Sequence, residues 1–384
     1  MEILVAATYG LFLAAGAELS EAINRPELEA HVYTLASPEY AGRRGAGGAR
    51  AARYIEAAFR KLELKPAFGG SFTQPIPSLL QSGKNKAQSF LGHNVGAMQQ
   101  GSDPVLSKEW IVLCAHYDHL GQSPFSYFPG ADDNASGVAM LLEVAEAFAL
   151  SKQKPKRTIL FVAFDLEESG LLGSMHFVVH PPLDIHQCKA NITADMLGRS
   201  MANLMDEYVF ALGMENSKVL RRAIETTKPP AGLRVGRIGA DVIGTRSDYG
   251  PFRDRRVPFL FFSTGQHEDY HQLTDTPERI DFAKVQRISV LIHDILLKLA
   301  DDPVAPAWEP NSSGADLGEA QVVLELVNRV LKHPPVQKPL SAAQKTMVSG
   351  VQEKLQAIVS RGKVTEAERT WIVWTARLLM TTLF

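Results

Sequence analysis

Histidines and carboxylates follow several apolar segments of this sequence, and together they could bind metal ions. In "AHYDHLG", His116 and Asp118 would lie on the same side of an extended chain, because alternate residues of a strand share a face. A histidine beside a carboxylate is a common metal ligand with the partner that fixes its tautomer. His119 would lie on the opposite side, and we expect it to be an ordinary loop residue. Alone, this pair does not distinguish a metal site from a plain loop.

Two further motifs place acids side by side. "GADDN" holds Asp132 and Asp133 in a tight turn, where adjacent carboxylates repel each other unless a cation or several donors lie nearby. The plain alternative is that these acids cap the helix that follows. In "FDLEESG", one of the two glutamates Glu167 and Glu168 could bind a metal while its neighbour serves as a general base. They could equally form the acidic first turn of a helix.

Taken together, these motifs indicate a centre for two metal ions. Asp195 follows another short apolar segment, and a later loop adds His267 and His271. Two histidines and three carboxylates complete two three-ligand shells if one carboxylate is shared. A bridging carboxylate holds two cations roughly 3.5–4 Å apart in a co-catalytic site. The sequence therefore predicts such a site, with one acid of "GADDN" in both shells.

The elements that would position these residues alternate between strands and helices. Apolar strands are predicted at "WIVLCAHYD", "TILFVAFD", "CKANITADM" and "VPFLFFS", with a helix from Val138 to Phe148 after the first. Continuous apolar strands separated by helices are typical of a parallel sheet covered on both faces. Ligands gather at the carboxyl ends of such strands. We therefore predict an α/β fold of three layers, with a central, mainly parallel, twisted sheet.

Composition divides the chain into four parts. Residues 1–26 contain the apolar run "ILVAATYGLFLAAGA", which ends in an A-x-A pattern as a signal peptide does, although Glu2 stands where a basic residue is usual. Residues 27–300 would form the catalytic domain and open with two helices around a Gly/Arg-rich turn. A linker over 301–316 leads to a helical C-terminal extension, 317–384, with three amphipathic helices. We favour a packing role for that extension over a binding role.

The composition and net charge of the chain argue against some classes of binding partner. The 384 residues carry a formal net charge of −2, which gives no general attraction to nucleic acid or anionic membranes. The N-terminal apolar run is shorter than the roughly 20 residues of a membrane span. If it is a signal peptide, we expect a periplasmic or secreted protein; if it is a helix packed on the core, a cytoplasmic one. Cys114 and Cys188 form no disulfide framework, and we expect buried free thiols.

In this order, the motifs resemble those of the zinc-dependent co-catalytic aminopeptidase family. That family includes bacterial leucyl aminopeptidases, glutamate carboxypeptidases and, more distantly, glutaminyl cyclases. The resemblance spans about residues 27–300, and the segment between Phe72 and Trp110 is too short for the protease-associated domain that some relatives insert. Its motifs are "AHYDHLG", "PGADDNASG", "EESGLLGS", "DMLGR", "SDYGPF" and "DYHQLTDTPERID".

The resemblance implies five ligands for two zinc ions. His116 and Asp195 would bind one ion, Glu168 and His271 would bind the other, and Asp133 would bridge both. Cobalt or manganese could replace zinc at such ligands.

It also implies roles for the neighbouring residues and a reaction. Glu167 would be the general base and then the general acid, Asp118 would orient His116, and Asp132 and Asn134 would shape and cap the turn. The reaction would be hydrolysis of the N-terminal peptide bond in peptides with a free amino terminus, by a water whose pKa the zinc ions lower.

One motif departs from the family pattern. Ser247-Asp248-Tyr249 stands where relatives commonly have Ser-Asp-His, in a loop near the substrate. Arg246, Asp248 and Tyr249 are therefore the predicted substrate contacts, and Tyr249 bears on specificity.

Three alternatives stay open. A glutaminyl cyclase has the same fold but uses one zinc and would not need His116 as a ligand. A carboxypeptidase for acidic residues would need arginines around the substrate's carboxylates. Arg246 and the "FRDRR" run could supply them, although a solvated charge run explains the pattern as well. A non-catalytic binding protein on this fold would typically lack metal ligands, and none is missing.

Overall fold

The computed structural model describes residues 22–78, 90–309, 316–333 and 340–383. The apolar run of the predicted leader lies outside the described residues, and so does part of the predicted linker. Within the described ranges, no helix is both long and apolar enough to cross a membrane.

The described residues form nine strands and ten α-helices. The strands are β1 (Lys65–Pro66), β2 (Thr73–Pro77), β3 (Phe90–Gln99), β4 (Trp110–His116), β5 (Thr158–Phe164), β6 (Cys188–Ala194), β7 (Tyr208–Leu212), β8 (Arg234–Arg237) and β9 (Phe259–Ser263). The helices are α1 (Arg25–Leu35), α2 (Ala46–Lys61), α3 (Gly137–Leu150), α4 (Leu172–Val179), α5 (Lys218–Thr226), α6 (Tyr249–Asp254), α7 (Phe282–Asp301), α8 (Leu317–Lys332), α9 (Ala342–Arg361) and α10 (Glu366–Leu383).

All nine strands belong to one mixed sheet. Its order is β1-β3-β5-β4-β6-β9-β7-β8, and β2 pairs with β3. The four central strands, β5, β4, β6 and β9, run parallel, whereas β3 and β7 are antiparallel to their central neighbours. The carboxyl ends of the central strands therefore meet at one edge of the sheet, where the predicted metal ligands follow them.

Helices cover both faces of the sheet, which confirms the predicted three-layer architecture. Along β4, Ile111, Leu113 and Ala115 pack into the cluster that includes α1, α2, α3 and α7. Val112 and Cys114 point to the other face, where α4 and α6 supply further apolar side chains. Because both faces are buried, the strand is apolar at every position, which made it visible in the sequence.

The three C-terminal helices extend the second face of the sheet. Phe259 and Phe261 of β9 share a buried cluster with Val327 of α8, Leu355 of α9 and Ile372 of α10. The helices thus cover β7, β8 and β9, and the structure shows the packing role expected of them.

Sequence reasoning found the central strands but not the outer ones. The strand β3, "FLGHNVGAMQ", mixes glycines and polar residues with apolar ones, so no continuous apolar run marks it. The strand β8 has four residues, two of them arginine. Cys114 and Cys188 are buried free thiols, as expected.

Candidate metal centre

The first group of donor atoms lies where β4 and β6 end. His116 is the last residue of β4, and Asp195 directly follows β6. The Nε2 atom of His116 lies 3.3 Å from Oδ1 of Asp195 and 3.3 Å from Oδ1 of Asp133. All three side chains are buried. The parallel strand order thus brings together residues that are 79 positions apart in the sequence.

The second group faces the other oxygen of Asp133. Nε2 of His271 lies 3.1 Å from Oδ2 of Asp133 and 3.2 Å from Oε2 of Glu168. Hydrogen bonds from His119 and His271 outweigh the effect of burial and lower the pKa of Glu168 to about 2. The two oxygens of one carboxylate, Asp133, therefore face two separate sets of donors.

The donors fit zinc in type and in spacing. Four zinc ligands at bond lengths of about 2.0–2.1 Å in a tetrahedron lie roughly 3.3 Å from one another. The contacts within the two groups, from 3.1 to 3.3 Å, match that spacing. Several buried carboxylates at one place also repel each other unless cations lie between them. The residues of both donor groups therefore fit zinc.

Glu167 lies beside the first group. One oxygen of its carboxylate is within 4.8 Å of donor atoms of His116 and Asp195. Burial, with the nearby charges of Asp195 and Asp248, raises the pKa of Glu167 to about 10. A cation bound beside Glu167 would lower this pKa, because an opposite charge favours the ionised form. The position suits a group that accepts and returns a proton.

Asp118 links the motif that follows β4 to the two glutamates that follow β5. Its backbone carbonyl lies 3.2 Å from Nδ1 of His116, and its Oδ1 lies 3.7 Å from the same atom. Its carboxylate also accepts the backbone N–H groups of Glu167, at 2.9 Å, and of Glu168, at 3.3 Å. Asp118 thus holds the turn that carries both glutamates, besides flanking His116.

The "GADDN" turn is held by side chains from elsewhere. The carboxylate of Asp275 accepts the backbone N–H groups of Asp132 and Asp133, at 3.0 to 3.1 Å. The side-chain oxygen of Asn134 accepts the N–H of Gly137, the first residue of α3. Asn134 therefore shapes and caps the helix start. Asp275 was not predicted, because its partners are backbone groups that leave no pattern in the sequence.

Asp132 faces away from the two donor groups. Its Oδ2 lies 3.2 Å from Nε2 of the buried His267, and its Oδ1 accepts the backbone N–H of Gly198. His267 is thus paired with the first acid of the motif, whereas His271 faces the second.

The structure corrects the expectation that His119 is an ordinary loop residue. His119 is fully buried, and its Nδ1 lies 2.9 Å from Oε1 of Glu168 and 3.8 Å from Oδ2 of Asp133. The expectation relied on strand alternation, which no longer applies once β4 ends at His116.

Sequence reasoning also missed Arg43, which lies under the centre. Its side chain is fully buried and donates hydrogen bonds to the backbone carbonyls of Tyr117, Pro129, Gly130 and Asp133. Burial lowers the pKa of Arg43 to about 10, so it stays a cation at neutral pH. Arg43 thereby ties the loop after β4 to the turn that carries Asp133. The "AGRRG" motif held this residue, but carbonyl partners give no sequence signal.

The structure does not bring Tyr249 to the centre. Its ring is fully buried and stacks on Phe259, with ring centroids 4.8 Å apart, and its hydroxyl donates to the carbonyl of Gly244. The side chain is therefore part of the core beneath the C-terminal helices.

The other two predicted substrate contacts, Asp248 and Arg246, lie in different surroundings from Tyr249. Asp248 is fully buried, and burial together with the nearby charges of Asp118 and Asp195 raises its pKa to about 7. Arg246 is exposed. Of the three predicted substrate contacts, Asp248 is the one that is buried and affected by the charges of His116 and Asp195.

Known proteins are similar to this chain in sequence and in fold. Aminopeptidase YwaD of Bacillus subtilis is 32% identical over 193 residues, which cover 47% of this chain and 39% of that protein. The chain spans less than half the length of such curated relatives.

Two solved structures superpose on most of the chain. The zinc aminopeptidase BSAP from Bacillus subtilis gives a TM-score of 0.57 at 18% identity, over 75% of this chain and 98% of that one. The glutaminyl cyclase of Porphyromonas gingivalis gives a TM-score of 0.53 at 19% identity, over 71% of this chain and 97% of that one. At these identities the likeness shows the fold alone.

The family assignment rests on a longer match in sequence. The pattern of the family described as "Peptidase family M28" matches residues 94–296, just over half of the chain. This range contains both groups of donors described above. The chain therefore belongs to peptidase family M28.

Proposed function

We propose that this chain is a di-zinc metalloaminopeptidase, which hydrolyses the N-terminal peptide bond of peptides. The observation that carries the proposal is the placement of Asp133, whose Oδ1 faces His116 and whose Oδ2 faces His271. One bridging carboxylate between two donor groups is the arrangement of a co-catalytic pair of metal ions. Membership of a peptidase family makes the peptide bond the expected target.

Each donor group would hold one ion. His116 and Asp195 would bind the first zinc, Glu168 and His271 the second, and Asp133 both. Zinc bound there would supply Lewis-acid polarisation of a carbonyl and would lower the pKa of a water molecule toward neutrality.

Glu167 would carry the proton in this reaction. It would accept a proton from the attacking water and deliver it to the amine that leaves. Its backbone N–H is held by Asp118, so the carboxylate stands at a fixed place beside His116 and Asp195. The nearby cations would bring its pKa down to a range in which both transfers can occur.

The charge of the site supports cleavage at the amino terminus. Among the described residues, the charged or ionisable partners of the donor groups are acids and histidines, and the buried cation Arg43 points to backbone carbonyls. Two zinc ions would balance the charges of Asp133, Glu167, Glu168 and Asp195. The further acids Asp118 and Asp248 would leave the site acidic, which attracts a positively charged amino terminus and repels a carboxylate. This favours an aminopeptidase over a carboxypeptidase for acidic residues, which would need arginines at the site.

The test is a mass-spectrometric time course on short peptides with varied first residues. The protein is assayed as purified, after chelation and after zinc is restored. We expect stepwise loss of N-terminal residues that stops on chelation and returns with zinc. Loss of ammonia from peptides that begin with glutamine, without shortening, would instead identify a glutaminyl cyclase. Shortening from the carboxyl terminus would identify a carboxypeptidase, and no reaction would support a binding protein.

A further inference from the structure

We propose that His119 is a positioning residue for Glu168 and thereby sets the affinity of the second zinc site. The second zinc site is formed by Asp133, Glu168 and His271. The proposal rests on the proposed function, because it takes Glu168 as a ligand of that ion. His119 itself belongs to neither set of ligands that the family resemblance implies.

The two oxygens of Glu168 have different partners. Oε2 lies 3.2 Å from Nε2 of His271, on the side of the second zinc site. Oε1 lies 2.9 Å from Nδ1 of His119, which is a normal hydrogen-bond distance. Because a carboxylate only accepts, His119 is the donor in this bond. The bond fixes the rotation of the carboxylate and leaves one oxygen free to face the ion.

The ring of His119 cannot turn away easily. It is fully buried and meets the rings of Phe128 and His271 edge-on, with centroids 6.5 Å and 5.9 Å away. A Cβ atom at Gly130 would lie only 2.5 Å from Cδ2 of His119. Because Gly130 has no side chain, there is room for this ring. The packing around the ring keeps its Nδ1 atom directed toward Glu168.

The surroundings of Nε2, the second ring nitrogen of His119, favour one tautomer of the ring. Nε2 of His119 is buried, and no hydrogen-bond partner for it lies among the described residues. A neutral ring with its proton on Nδ1 leaves only a weak acceptor unpaired, whereas a proton on Nε2 would leave a buried donor unpaired. The surroundings thus favour the tautomer that donates to Glu168.

Direct binding of zinc by His119 is the competing explanation. Donor atoms of His119, Asp133 and Glu168 lie within 4.8 Å of one another. His271 lies 3.1 to 3.2 Å from both carboxylates, near the roughly 3.3 Å expected between ligands of one tetrahedral ion. His119 instead lies 2.9 Å from one carboxylate and 3.8 Å from the other. This uneven spacing favours a hydrogen bond to Glu168.

The test compares zinc affinities of the metal-free full chain by competition with a chromophoric chelator. His119→Ala removes the donor, and His119→Asn keeps an amide N–H near the position of Nδ1. We expect His119→Ala to lower the affinity for one of the two zinc ions about 10–100-fold, because a ligating carboxylate loses its hydrogen-bond partner. The affinity for the other zinc ion should not change. His119→Asn should recover most of this loss. Phe128→Leu replaces one ring contact by a smaller apolar one and leaves Gly130, His271 and the bond to Glu168 in place, so it should keep both affinities.

Each other result has a defined meaning. Wild-type affinities in His119→Ala would overturn the positioning role. Equal losses in His119→Ala and His119→Asn, with an altered visible spectrum of the cobalt-loaded protein, would assign His119 as a direct ligand instead. An equal loss in Phe128→Leu would assign the effect to packing. A wild-type protein that binds fewer than two zinc ions would overturn the proposed function itself, which separates that failure from a failure of the His119 proposal.

Discussion

At the scale of single residues, the centre concentrates negative charge that the protein alone does not neutralise. Asp133, Asp195 and Glu168 are buried or nearly so, and the basic groups that pair with them are histidines. Buried charges are costly unless they are paired or bind metal ions. Bound cations would neutralise this charge, and in the proposed function the adjacent glutamates divide into a ligand and a proton carrier.

The two glutamates should respond differently to the same change. Glu167→Gln should keep both metal ions and lose about two to four orders of magnitude in turnover, because it removes a general base. Glu168→Gln, the matched control, should lose metal as well as activity. Turnover and metal content by elemental analysis are measured on both. Near-normal turnover in Glu167→Gln would show that another group carries the proton.

Arg43 should matter through its geometry and not only through its charge. Arg43→Lys keeps a cation but cannot reach the five carbonyls that the guanidinium joins, which belong to Leu35, Tyr117, Pro129, Gly130 and Asp133. Carbonyls left without donors in the core should cost about 2–4 kcal/mol in the free energy of unfolding. Urea denaturation measures this, with the exposed neighbour Arg44→Lys as the control. Equal stability of the two variants would contradict the role given to Arg43.

At the scale of elements, the sequence was informative wherever a residue type and a regular pattern coincided. The strands β4, β5, β6 and β9 were predictable because burial on both faces makes them apolar throughout. The acids and histidines at their ends followed from the same pattern. What failed was the extension of strand alternation past His116, which misplaced His119. Arg43 and Asp275 were not predictable, because they bind backbone groups brought close by the fold.

Glu319 anchors the C-terminal extension to the sheet. It lies in the first turn of α8, accepts the backbone N–H of Gly239 at 2.8 Å, and lies 3.3 Å from Nε of Arg369 in α10. Burial raises the pKa of Glu319 from 4.5 to about 6. An acid whose pKa rises on folding binds its proton more tightly in the folded state. Its contribution to the free energy of unfolding is therefore largest below pH 4.5 and is lost as the pH rises through 6.

The raised pKa of Glu319 predicts that the protein becomes less stable as the pH rises. Between pH 4.5 and pH 7, wild-type protein should lose about 2 kcal/mol in the free energy of unfolding relative to Glu319→Gln, because each pKa unit corresponds to about 1.4 kcal/mol. Urea denaturation at both pH values measures the difference. Glu325→Gln, on the same helix but at a more exposed carboxylate, is the control. A difference between wild type and Glu319→Gln that does not change with pH would contradict the prediction.

At the scale of the whole molecule, the C-terminal helices and the metal centre occupy different parts of one sheet. The helices cover β7 and β9 through a shared apolar cluster, to which Tyr249 also belongs, and α8 lies against β8. The donors follow β4, β5, β6 and β9 at the carboxyl edge. The extension therefore completes the core, and the chemistry depends on how the central strands bring distant loops together.

In the proposed function, Asp133 bridges two zinc ions. Anomalous diffraction from zinc-loaded crystals of the full chain tests it most directly. We expect two zinc peaks roughly 3.5–4 Å apart. One peak should lie beside His116 and Asp195, the other beside Glu168 and His271, and the carboxylate of Asp133 should lie between them. A single peak beside Glu168 and His271, with none beside His116 at saturating zinc, would contradict the two-metal account.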